Sequence, residues 1–361
     1  MKSSYFRLLG LCAVCLLFVG QGCVSLSGDK GATSGPAGMF ASTNRGESWQ
    51  PVSSLPKVDG VKSMSGVSVY RMFGDPQDPK AMYWASRGHG LFFTYDNGLT
   101  WQQPWSESLK QGFIYSVAVH PKDKCTIYVT TGKLVYKSTD CNRTWAEIHR
   151  EATDDQVVSV LISPTAPYDV YMATTKGRFL VSKDTGVSWE AIFQFRFKIA
   201  EAFIDPFIKD RVYVATKDNG IYRSLDGGQT WLTGSEDVAE LSKALEFRRF
   251  LAYPGREGVL YYVSTYGIHK SEDAGESWET LELIHPAGSA KIYGFAVNPN
   301  NENEMYYTAT INDRSTFYKS IDGGKNWITK KLPSKQLPTS LRVHPVVDNQ
   351  LYLGFTIPPK K

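Results

Sequence analysis

Charge is scarce and nearly balanced in this sequence of 361 residues. Asp, Glu, Lys and Arg make up 21% of it and the formal net charge is +4, which leaves no electrostatic footprint for a nucleic-acid backbone. Cysteine is equally sparse: of five, Cys12, Cys15 and Cys23 crowd the first 23 residues and only Cys125 and Cys141 remain beyond them. No pair of CxxC elements, no HExxH, no phosphate-cradling P-loop and no GxSxG nucleophile elbow occurs. The six histidines (His89, His120, His149, His269, His285, His344) are scattered, and His120 and His344 share a position before proline, so they read as a structural echo and not as metal ligands. No cofactor is therefore expected. The one long apolar run, residues 8–19, falls short of the roughly 20 residues that span a bilayer. Aromatics, by contrast, reach 13%, and 31 Gly and 18 Pro accompany a 42% hydrophobic content. That mixture excludes disorder and points to many short strands separated by turns.

The N-terminus reads as an address. Lys2 and Arg7, with no acid nearby, precede the apolar run, as in an export signal over residues 1–22. The segment ends in Val19-Gly20-Gln21-Gly22-Cys23, which resembles the lipobox of bacterial lipoproteins, although Gly20 stands where Leu is usual. The resemblance implies lipidation of Cys23, the alternatives being ordinary secretion or an uncleaved anchor. With Val24 following, it also implies sorting to the outer membrane in a Gram-negative cell. Residues 23–36 are rich in Ser and Gly and lack aromatics, a tether that could reach about 45 Å. The folded body is expected over residues 37–361.

One eight-residue pattern, SxDxGxTW, recurs seven times through that body. Its acidic or amide position is Asn44, Asp96, Asp140, Asp184, Asp226, Asp273 and Asp322, and each copy ends in Trp49, Trp101, Trp145, Trp189, Trp231, Trp278 or Trp327. Seven of the nine tryptophans are used in this way, at spacings of 42 to 52 residues. Each pattern is preceded by strand-like runs, so one period reads as a four-stranded antiparallel meander. Seven such periods predict an all-β fold, a seven-bladed β-propeller. The first copy has no strand pair before it and the tail around residues 340–356 has no copy after it, so the two ends are expected to share one blade and close the ring, removing an open sheet edge.

The repeat resembles the Asp box, or BNR repeat, of sialidases, sortilin-type receptors, xyloglucan hydrolases and Ycf48-like photosystem assembly factors. In those families the box is a structural turn away from the active face. The chemistry agrees: an Asp accepts hydrogen bonds from its own turn, the following Gly (Asn142 in one copy) supplies a left-handed backbone, and the Trp fills the gap between blades. Cys125 and Cys141 fall in turns at the same end of one blade, placed for a disulfide or, alternatively, as two buried thiols.

Two groups are candidates for binding. Aligned on their terminal Pro, the inner strands place Arg71, Ser116, Ser159, Glu201, Arg249, Gly294 and Ser340 in one column, expected to face the axial channel; the structural alternative is a Glu201–Arg249 ion pair. The second group is the aromatic and basic run containing Phe195, Arg196 and Lys198, with Arg87, His89, Lys176, Arg178, Tyr266 and Arg314 on the same face. By resemblance to sortilin-type and Ycf48-like propellers, the expected function is a non-catalytic protein-binding or assembly scaffold, anchored to the membrane by its N-terminal lipid at the cell envelope, with another envelope protein as partner. The alternative is a carbohydrate-active enzyme or glycan-binding module. Against sialidase chemistry stands the seven-fold count, although Arg71, Arg249 and Arg342 all lie on inner strands. Xyloglucan hydrolases hold paired acids in a cleft between two propellers.

Overall fold

A computed structural model of the chain describes residues 34–358. Among these residues, helix is confined to two single 3-10 turns, Glu107–Leu109 and Glu236–Val238. All else that is regular is strand, in seven successive blades and one exposed hairpin, Ser54–Lys57 with Gly60–Ser63. Blade 2 shows the unit: Ser116–His120, Asp123–Thr130, Leu134–Ser138 and Ala146–Arg150 pair in sequence order, all antiparallel. Blades 3 to 6 repeat it from the inner strands Val157–Ile162, Ile199–Ile204, Phe247–Ala252 and Lys291–Asn298. Blade 1 (Val69–Gly74, Met82–Ser86, Leu91–Thr94) keeps three strands, and its fourth is reduced to one bridge, Phe93 with Gln102. Pro104, which has no N–H to donate, follows two residues later.

Blade 7 closes the ring. Leu337–Val343 and Leu351–Thr356 come from the end of the chain, Gly38–Ser42 and Gln50–Pro51 from its beginning. The joint is a five-residue antiparallel register from Gly38 opposite Phe355 to Ser42 opposite Leu351, and all five residues of the first strand are buried. Inner strands of neighbouring blades touch around the ring, except that between blades 4 and 5 the contact runs from the second strand of blade 4, Val212–Thr216, to the inner strand of blade 5, and the inner strand of blade 7 touches that of blade 1.

The core is a set of wedges between blades. Met39, Trp84, Phe92, Trp101 and Tyr352 join blades 7 and 1, Tyr171, Phe179, Phe195 and Val214 join blades 3 and 4, and equivalent clusters fill the remaining junctions. The motif tryptophans sit at these wedges. Trp49 meets Phe317 of blade 6 edge-on at 5.5 Å, and Trp231 meets Phe179 of blade 3 at 5.2 Å. The indole N–H of Trp101 donates to the Val52 carbonyl at 2.7 Å, and that of Trp327 to Glu282 at 3.0 Å. The motif glycine lets the neighbouring blade approach: a Cβ on Gly46 would lie 2.5 Å from the Phe317 ring.

Trp101 is fully buried, whereas Trp105, four residues on, is 81% exposed. Replacing Trp101 by Ala is expected to cost about 3 to 5 kcal/mol through lost burial and an unfilled cavity. Trp105→Ala should stay within about 0.5 kcal/mol. Denaturant unfolding of the two variants side by side checks the contrast.

Candidate functional site

The inner strands carry a built-in irregularity. Their pairing slips by one residue directly before Arg71, Ser159, Glu201, Arg249, Gly294 and Ser340. These bulges sit at the column expected to face the axis, where a bulge re-aims side chains. Arg71 of blade 1 and Glu201 of blade 4 form an ion pair across the ring. The expected Glu201–Arg249 pair between adjacent blades is absent, because Glu201 is taken by Arg71. Arg249 turns instead to backbone, donating to the carbonyls of Tyr293 at 3.0 Å and of Thr339. Ser116 and Ser159 tie their strands to the next blade: the Ser159 hydroxyl accepts from the Ala202 amide at 2.9 Å, and that of Ser116 accepts from Val160 at 3.3 Å.

Two residues further along each inner strand lie Phe73, Ala118, Leu161, Phe203, Leu251, Ala296 and Arg342, six apolar groups and one arginine. Two further again are Asp75, His120, Ser163, Asp205, Tyr253, Asn298 and His344, each followed by proline. Most of these cap their own turn. Asp205 Oδ1 accepts from the Phe207 and Ile208 amides at 2.8 and 3.1 Å, and His344 Nδ1 accepts from Val346 and Val347 at 3.1 and 2.9 Å. Burial lowers the pKa of both His120 and His344, consistent with neutral rings acting as turn acceptors.

The Phe195 group divides. Phe195 is 5% exposed and packs edge-on against Trp231 at 4.9 Å and Tyr222 at 5.5 Å, so it belongs to the wedge between blades 3 and 4 and not to a binding surface. The blade 3 outer strand stops at Gln194, and the strand alternation that would have carried Phe195 outward stops with it. Arg196 and Lys198 are exposed. Cys125 and Cys141 are joined by a disulfide. Cys23 lies outside the described residues, and among those residues no helix is long and apolar enough to cross a membrane and no cluster of metal-ligating side chains occurs.

The face opposite the repeated turns, where Arg87 and Arg178 were expected, also holds aromatic and acidic groups that sequence reasoning passed over. Beside the channel mouth, Phe113 stacks on Tyr115 with centroids 4.0 Å apart and meets Tyr70 edge-on at 4.7 Å. The Arg87 guanidinium lies 5.3 Å from the Tyr70 ring and 5.6 Å from Phe113, and the Tyr115 hydroxyl donates to Gln156 at 3.1 Å. Trp105 stands exposed on the same connection as Phe113. The signal was available: Trp105 is one of two tryptophans outside the repeat. On the same face Glu151 and Asp155, both buried, share one Arg178 nitrogen. Burial raises the Asp155 pKa, but hydrogen bonds from Thr174, Thr175 and the Gln156 and Lys176 amides outweigh it, and the net shift is downward. Glu151 is likewise lowered, Thr153 and Arg178 offsetting its burial.

No family model matches the chain. A xyloglucanase of Acetivibrio thermocellus is 25% identical over 323 residues, 76% of this chain and 36% of its own length. The chain is similar to xyloglucanases. It spans between 16% and 36% of the length of the curated xyloglucanases it matches. Among solved structures, a GH74 enzyme of Niastella koreensis superposes with a TM-score of 0.66 at 15% identity, over 88% of this chain and 53% of that one. Ycf48 of Cyanidioschyzon merolae superposes with a TM-score of 0.61 at 14% identity, over 80% and 96%. At those identities the superpositions establish the propeller fold. The expectation of a non-catalytic protein-binding scaffold is overturned by the sequence matches, which are to proteins named xyloglucanases; the scaffold reading had rested on resemblance to sortilin-type and Ycf48-like propellers, and a shared fold does not carry a shared function.

The repeated turns carry a measurable acid response. In each, the Ser or Thr hydroxyl donates to the carboxylate or amide oxygen, which accepts the amide four residues on: Ser182 to Asp184 at 2.7 Å, and Ser188 N–H to Asp184 at 2.9 Å. Those bonds hold Asp140, Asp184 and Asp322 at about 2, and Asp226, despite some burial, at about 2 as well. A carboxylate depressed on folding contributes stability above its unfolded value near 3.8, and that contribution is lost as pH falls toward 2. Melting temperature should therefore fall steeply between about pH 4 and pH 2. Asn44 shows that an amide keeps the same turn, with Oδ1 accepting from Ser48 N–H at 2.9 Å. The triple variant D184N/D226N/D322N should fold and show a shallower decline in that window.

Proposed function

We propose that this chain is a carbohydrate-active propeller whose open face receives a neutral β-glucan of the xyloglucan type. The similarity to xyloglucanases over 76% of the chain carries the reading, and the aromatic platform of Tyr70, Phe113 and Tyr115, with Trp105 exposed on the connection that carries Phe113, supports it. Sugar rings present flat C–H faces and a rim of hydroxyls. Aromatic faces take the first, and groups such as Gln156 and Arg87 take the second. The platform is held rigidly: a Cβ on Gly132 would lie 2.8 Å from the Tyr115 ring, so Tyr115 is seated directly on the blade 2 backbone.

The export signal, the lipid on Cys23 and placement at the envelope remain part of this proposal. A tethered propeller at the cell surface would meet polymeric glycan before its fragments are taken up.

Affinity electrophoresis through gels with and without xyloglucan tests the reading, with reducing-end release measured on the same samples. Retardation by xyloglucan is expected. Phe113→Ala and Trp105→Ala should each weaken it roughly fivefold to tenfold, a loss of about 1 kcal/mol per aromatic face, with unchanged melting temperature for Trp105→Ala. Release of reducing ends would make the protein a hydrolase, and retardation without release a glycan-binding module. No retardation by any β-glucan would overturn the proposal.

A further inference from the structure

The axial channel contains a second site of different character. Below the Arg71–Glu201 pair, toward the end of the ring that carries the repeated turns, lies a cavity of about 380 Å³. Its walls carry polar and apolar surface in nearly equal measure, the apolar part including Phe250, Leu251, Phe295 and Leu341, and it is bounded at the turn end by Pro254, Pro299 and Pro345. Three guanidiniums line it, Arg71, Arg249 and Arg342, against the single carboxylate of Glu201.

The three arginines are not equivalent. Arg71 is neutralised by Glu201 and Arg249 is hydrogen-bonded to backbone carbonyls. Arg342 has neither: its Nε is buried without a partner, and among the described residues no group accepts a hydrogen bond from it and no acid pairs with it. Its position is nevertheless built. The guanidinium lies against the backbone of blade 1 at Gly74, where a Cβ would come within 2.6 Å of Cζ. It is also the one polar side chain in an otherwise apolar ring formed by Phe73, Ala118, Leu161, Phe203, Leu251 and Ala296. Burial lowers its pKa, opposing its charge. An uncompensated guanidinium in apolar surroundings destabilises a fold, and an apolar side chain of similar length would pack there without that cost.

From this we infer that the channel is a binding site for a small organic carboxylate, with its anionic head on Arg342 and an apolar body against Phe250, Leu251 and Phe295. A planar carboxylate matches the fork of a guanidinium, and a cavity of this volume lies at the small end of ligand sites. The site is separate from the glycan face and does not depend on the reading of that face.

The test uses the full folded chain and calorimetric titration with 3-phenylpropionate, its neutral amide, acetate and inorganic phosphate, together with thermal melts. We expect 3-phenylpropionate to bind at least tenfold more tightly than its amide or acetate, and to raise the melting temperature. Arg342→Met should melt higher than the parent protein without ligand and should no longer respond to 3-phenylpropionate. Gly74→Ala, which keeps the arginine but displaces it, should weaken binding at least tenfold. Equal binding of phosphate and 3-phenylpropionate would overturn the assignment of an apolar-bodied carboxylate. Failure of 3-phenylpropionate to bind, or an unchanged affinity in Arg342→Met, would overturn the site itself.

Discussion

Everything in this protein depends on one antiparallel joint, the pairing of Gly38–Ser42 with Leu351–Thr356. A blade buries its faces only against its neighbours, so seven blades in an open row would leave two apolar faces in water. The joint converts the row into a ring, brings the Met39, Trp84 and Trp101 wedge together between blades 7 and 1, and sets the inner strands around a common axis. The Arg71–Glu201 contact exists only because the ring is closed, since its partners come from blades 1 and 4.

What could be read from the sequence is what is local in the chain. Each repeated turn is held by hydrogen bonds reaching no further than four residues, as between Ser224, Asp226, Gly228 and Thr230, so the pattern and its tryptophan show wherever they occur. Strand count, blade number and the shared closing blade follow from their spacing. The axial column could be lined up too, because a proline ends each of the strands that form it, whereas the bulge that repeats before it had no sequence signal. The partners across the axis were not. Whether Glu201 meets Arg249 next door or Arg71 opposite is decided by side-chain reach within a channel whose width comes from the closed ring. Phe195 failed for a related reason: its strand ends one residue earlier, and the chain then folds its ring into the wedge beside Trp231.

The residues passed over are equally instructive. A further set of hydroxyls at the ends of second strands, among them Ser86, Thr130, Thr174 and Thr216, is wholly buried and caps the turns of the open face: Thr130 Oγ1 accepts from the Gly132 amide at 3.0 Å and Thr216 Oγ1 from Asn219 at 2.9 Å. These small groups allow the connections to stay short and the aromatic platform to sit on rigid backbone. The proposed glycan face and the seven-fold scaffold are thus separable. The repeat specifies a ring, and the residues outside the repeat, Trp105, Phe113 and Arg342 among them, differentiate its two ends.

Native-state hydrogen exchange across the joint tests this account most directly. If the ring opens only when the whole protein unfolds, the paired amides of Gly38–Ser42 and Leu351–Thr356 should show the same opening free energy as those of the interior strand Asp123–Thr130, with the same denaturant dependence. Exchange of the joint at a much lower free energy, while Asp123–Thr130 stays protected, would show that the propeller holds together without its closure and would contradict the central claim.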